Sequence, residues 1–90
     1  MPVNAMWHKI DGQRTVDALQ EALAKLDGAG GELALDFSAV RRVDPAALRV
    51  METLAGTASE KGVKVVLHGV NVDVYKTLKL TRLAPRFSFV

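Results

Sequence analysis

Asp36, Asp44 and Glu52 stand near one another along the chain, and two carboxylates brought together could divide general acid and general base work between them. Asp44 has a simpler duty. In Val43-Asp44-Pro45-Ala46 it takes the N-cap position of a helix, where its carboxylate accepts from free backbone N–H groups, and Pro45 at the first helical position sacrifices no hydrogen bond. Glu52 then falls two turns further on, at the helix surface. His8 and His68 are the only histidines and have no H-x-x-x-H spacing, so they read as strand histidines at a sheet end and no metal site is expected. The run Gly28-Ala29-Gly30-Gly31 follows a helix and precedes a strand. That is the reverse of the order that aims backbone N–H groups at a phosphate, so it reads as a turn. No candidate nucleophile has a partner base. The chain is expected to be neither an enzyme nor a cofactor binder.

The elements that would position these residues alternate between period-two and period-3.6 patterns. Ala5 to Ile10 reads as a strand ended by Asp11-Gly12; Thr15 is placed to cap a helix with Val16, Leu19, Leu23 and Leu26 on one face, ended by Gly28. In Glu32 to Phe37, Leu33, Leu35 and Phe37 alternate with Glu32, Ala34 and Asp36, and Ala34 is small enough to lie beneath a helix. A helix over Pro45 to Lys61 turns Leu48, Met51, Leu54, Ala55 and Ala58 inward and Arg49, Glu52, Ser59 and Glu60 outward, with Gly62 as its left-handed cap. Val63 to His68 is the next strand, Val72 to Leu80 the third helix, and Phe87 to Val90 a short extended end whose unpaired edge could invite a homodimer. The expectation is one α/β domain over residues 1–90, with a mostly parallel or mixed four-stranded sheet covered by three or more helices. The Ser38 to Asp44 and His68 to Asn71 loops, at the carboxyl ends of strands, form its functional edge.

Ninety residues, 49% hydrophobic and 24% charged, suit a single packed domain, and the absence of cysteine excludes disulfides and thiolate chemistry. The start MPVNAMWHKIDG lacks the pattern of a secretory signal, and no apolar run is long enough to span a bilayer, so a cytoplasmic chain without direct membrane insertion is expected. Charge is uneven: residues 61–90 hold six Lys/Arg against one acid, and Lys76, Lys79, Arg82 and Arg86 can share one surface. Such a patch can meet nucleic acid or an acidic membrane surface, but few aromatics and no recognition motif accompany it, so nucleic acid is not the expected partner.

The stretch ELALDFSAVRRVDPAALRVMETL resembles the central signature of the STAS family, the sulfate transporter and anti-sigma factor antagonist domains: an apolar strand ending in Asp and Ser, a short loop, then an Asp opening a helix. VKVVLHGVNVDVYKTLKLTRL is similar to that family's third strand, glycine turn and following helix. Asp36, Ser38, Asp44 and Leu48 match the motif, whereas the family's two hydroxyl residues and glycine are replaced by Pro45, Ala46 and Ala47. The resemblance implies a STAS-like fold and a protein-docking role, and it places Ala46 where switchable members carry the phosphorylated hydroxyl. Alanine accepts no phosphate, so the switch is expected to be missing at that position.

The resemblance further implies a contact surface of Arg41, Arg42, Asp44, Pro45, Ala46, Arg49 and Glu52. Its partner would be an anti-sigma-type ATPase or kinase or, in the alternative, the ATPase of an ABC-type phospholipid transporter, to which branch GVNVDVYKTLKLTRL is especially similar. A further alternative is a small-ligand or lipid binder with Trp7, Phe37, Met51, Tyr75 and Phe87 around a pocket.

Overall fold

The structure, a computed structural model, describes residues 5–28 and 31–90. The chain start and the middle of the Gly28–Gly31 turn lie outside the described residues. Seven elements follow in order: β1 (Ala5–Lys9), α1 (Thr15–Ala24), β2 (Glu32–Asp36), α2 (Pro45–Lys61), β3 (Lys64–His68), α3 (Val72–Leu80) and β4 (Ser88–Phe89). Single 3-10 turns at Lys25–Gly28 and Ala84–Arg86 tighten the chain after α1 and before β4. The four strands pair in sequence order, all parallel, so the mixed sheet is ruled out in favour of the parallel one.

Parallel neighbours need a crossover, and right-handed crossovers that all advance in one direction put every helix on the same face of the sheet. A single core records that arrangement. Leu33, Leu35, Val65 and Leu67 from the sheet, with Phe37 and Phe87 flanking β2 and β4, pack with Leu19, Met51, Leu54, Val74 and Leu78 from the three helices. At about 25 cal/mol per Å² of apolar surface, these side chains supply most of the drive to fold.

Three local expectations are corrected. Ala34 is buried but lies outside that core. It stands in register with Trp7 on the helix-free face, and the Trp7 ring reaches His68 two strands away with ring centres 4.7 Å apart. The small residue thus makes room for an indole crossing β2, not for a helix. Thr15 does not cap α1: Arg14 holds the cap position without a side-chain bond to the helix N–H groups, and the Thr15 hydroxyl donates back to the carbonyls of Asp11 and Gly12 at 3.2 and 3.3 Å. The buried stripe of α1 includes Ala18 and Ala22 beside Leu19, leaving Val16 and Leu23 only half-buried.

The second helix runs as its sequence dictates. Asp44 Oδ1 accepts from the Ala47 N–H at 2.8 Å, Pro45 sits in the first turn, and Gly62 closes the helix with φ +69°. Among the described residues no helix is long and apolar enough to cross a membrane.

Candidate functional site: the carboxyl edge of the sheet

All strands end at the same edge, where the loops leading into the helices are pressed together by two glycines. A Cβ on Gly12 would lie 2.0 Å from the Ala39 carbonyl oxygen, and one on Gly69, whose φ is +73°, would lie 3.1 Å from the Ser38 side chain. Ser38 and Ala39 are therefore held between a turn on either side. Asn71 ties the assembly. Its Oδ1 caps α3 by accepting from the Val74 N–H at 2.8 Å, while its Nδ2 donates to the carbonyls of Val40 and Arg41, each at 3.2 Å. One side chain thus starts α3 and fixes the loop that leads into α2. Replacing Asn71 with Ala removes the cap and strands two carbonyls, so a loss of about 1–2 kcal/mol is expected in urea denaturation, with amide shifts at Val40 to Arg42.

Each residue expected to form the contact surface is exposed: Arg41, Arg42, Asp44, Pro45, Ala46, Arg49 and Glu52. At 100° per residue, Pro45, Ala46, Arg49 and Glu52 occupy an arc of about 120° along the start of α2. Arg42 also borders a depression formed with Gly12 to Asp17, Asp44 and Ala47, so the starts of α1 and α2 share one surface. Arg41 and Arg42 face Asp11, Gly12, Gln13 and Ala39 in the adjoining one. Neither arginine has an ion-pair partner among the described residues, whereas Arg14 is held by Asp17 at 3.1 Å. The two unpaired guanidinium groups stand beside the Asp11 and Asp44 carboxylates, so this edge presents charges of both signs.

The three acids do not converge into a catalytic pair. Asp44 is committed to its cap and Glu52 points outward from α2. Asp36 is bound locally: the Ser38 side chain and backbone N–H, the latter at 2.9 Å, hold its carboxyl below the usual 3.8, assisted by the charges of Lys9 and His68. A carboxyl depressed in the folded state stabilises it above the unfolded value and loses that contribution as pH falls through the folded value. Asp36→Asn is thus expected to flatten the decline in stability below about pH 4, read by urea denaturation across an acid series.

His8 faces the helices, with Nδ1 3.1 Å from the Lys25 ammonium and Nε2 3.8 Å from Glu21, and His68 ends β3 on the opposite face. No cluster of metal-ligating side chains occurs among the described residues. The five residues considered for a ligand pocket do not meet in one: Phe37, Met51 and Phe87 belong to the core, Tyr75 packs edge-on to Phe89 at 5.1 Å, and Trp7 is on the helix-free face.

The sequence places Gly12 in a turn and Gly69 and Asn71 in an edge loop, but it assigns none of the three a part in joining this edge. An Asn shortly before an apolar helical pattern signals a cap, but nothing local predicts that its amide reaches Val40 and Arg41.

A four-stranded parallel sheet with helices on one face and an Asp-capped helix start after β2 make up the fold in which the motif residues are set. The chain belongs to the STAS domains: residues 11–85 match the family described as Mlab, STAS domain. No curated protein matches the chain. Among solved structures, a sulfate transporter family protein from Wolinella succinogenes is 18% identical with a TM-score of 0.80, over 99% of this chain and 79% of that one. A candidate anti-sigma factor antagonist from Thermotoga maritima is 18% identical with a TM-score of 0.77, over 99% and 80%. The STAS domain of a SulP transporter from Vibrio cholerae is 15% identical with a TM-score of 0.78, over 100% and 76%. At these identities the likeness shows a shared fold.

Proposed function

We propose that this chain is a non-enzymatic docking module that binds a regulatory ATPase or kinase of the anti-sigma type through the first turns of α2, without a phosphorylation switch at the usual position. The carrying observation is the start of α2: Ala46 lies exposed beside Arg49 and Glu52, directly after the cap and the two unpaired arginines, with no hydroxyl in the turn. A phosphate there would carry a charge of about −1.5 to −2, so alanine leaves the surface permanently in its unmodified state. Binding would then be governed by how much partner is present.

A second reading, an accessory subunit on the ATPase of an ABC-type phospholipid transporter, is favoured by the match to the Mlab, STAS domain family and by the similarity of Gly69 to Leu83 to that branch. It uses the same surface and needs no phosphorylation cycle. Self-association through β4 is the weaker arrangement, because that edge strand offers only two residues.

Affinity capture from a native lysate with the wild-type chain and Ala46→Glu side by side tests the reading. Retention of an anti-sigma-type ATPase by the wild type alone supports the first form, and retention of an ABC ATPase supports the second. A partner retained equally by both baits contradicts the assignment of the surface.

A further inference from the structure

The third helix presents a surface that the docking role does not use. Its inner side is satisfied by Val74 and Leu78, both fully buried in the core. Its outer side is not polar. Val72 is 67% and Leu80 85% exposed, Tyr75 is exposed between them, and Lys76 and Lys79 share the same arc of about 140°. We propose that this outer face of α3 is a peripheral docking surface for an anionic lipid bilayer.

Four of the five large apolar side chains exposed among the described residues, Val72, Tyr75, Leu80 and Val90, belong to α3 and the chain end beside it. Val72, Tyr75 and Val90 line one shallow apolar depression with Val70 and Phe89. The basic residues lie in the same part of the chain. Lys76, Lys79, Arg82 and Arg86 are exposed and form no ion pair among the described residues, and Asp73 is the only acid after residue 60. Arg82 has φ +63°, a left-handed position after the helix end that glycine occupies without strain, yet the chain places a cation there.

Apolar side chains interleaved with cations suit the boundary between lipid headgroups and acyl chains: valine, leucine and the tyrosine ring enter it while lysine stems carry their charges to the phosphates. The alternatives fit less well. A second copy docked face to face would set Lys76 and Lys79 against their duplicates, and a nucleic acid would satisfy the cations but leave Val72 and Leu80 against water. Bilayer attachment of this kind is reversible and depends on salt.

Co-sedimentation with vesicles of phosphatidylcholine, alone or mixed with phosphatidylglycerol, tests the proposal. The wild-type chain is expected to pellet with the mixed vesicles at low salt and to stay in solution with phosphatidylcholine alone. Lys76→Gln with Lys79→Gln should lower the partition coefficient roughly tenfold or more. Leu80→Ser, at a side chain that supports no packing, should lower it by about fivefold with the melting temperature unchanged. The proposal is overturned if the wild type fails to pellet, if the variants pellet as it does, or if a duplex DNA probe binds as tightly and ignores Leu80→Ser. It is likewise overturned if the chain forms a dimer that Leu80→Ser dissociates.

Discussion

Ala46→Glu should weaken the partner complex tenfold or more while leaving the domain slightly more stable than the wild type. The two effects differ in sign because they arise from different physics. Ala46 is the second residue of α2 and is exposed, so a glutamate there meets the positive end of the helix dipole and gains about 0.3–1 kcal/mol. A docked partner would instead find a carboxylate on a surface it meets as uncharged alanine, and burying an unpaired charge at an interface costs at least the roughly 1.4 kcal/mol that corresponds to tenfold in affinity. Isothermal titration with the captured ATPase, beside a thermal melt of the free domain, reads both. A drop in melting temperature would expose the loss of binding as mere unfolding.

The largest effect on stability is expected at Gly12. The atom its Cβ would meet, the Ala39 carbonyl oxygen at 2.0 Å, is backbone and cannot swing aside as a side chain would. Gly12→Ala therefore forces the Asp11–Arg14 turn away from the loop before α2, at a cost of about 2 kcal/mol, which in a domain of this size lowers the melting temperature by about 8–16 °C. Gly56 provides the contrast. It lies within α2 with nothing inside 4 Å of the added Cβ, so Gly56→Ala should stabilise by about 0.5–1 kcal/mol through helix propensity. Calorimetry on the two variants separates crowding at the edge from a general intolerance of side chains.

Much of this fold is legible in the sequence wherever a local rule and the tertiary environment agree. Asp44-Pro45 and Gly62 bound α2 because capping depends on a few consecutive residues, and the alternation of Leu33, Leu35 and Phe37 fixes which side of β2 meets the helices. Ala34 shows where such reasoning stops. Its small size is visible, but which of two faces it serves depends on an indole arriving from β1, a strand distant in sequence. Thr15 illustrates the same limit, since a hydroxyl before a helical pattern can cap or can enter the first turn, and the tight Asp11-Gly12 turn draws it in. At the site, the exposed strip of α2 follows from helical periodicity, whereas the bonds from Asn71 to Val40 and Arg41 join loops about thirty residues apart and leave no periodic trace.

The most direct test of the proposed docking surface is amide hydrogen exchange on the chain, free and saturated with whichever ATPase the capture experiment retains. The first helical turns give the reading, because N–H groups at a helix start lack intrahelical partners and exchange readily until covered. Protection confined to Arg41 to Thr53 and the neighbouring Gly12 to Asp17 turn is the predicted outcome. Protection centred on α3 or on the helix-free face around Trp7, with the start of α2 unchanged, would contradict it.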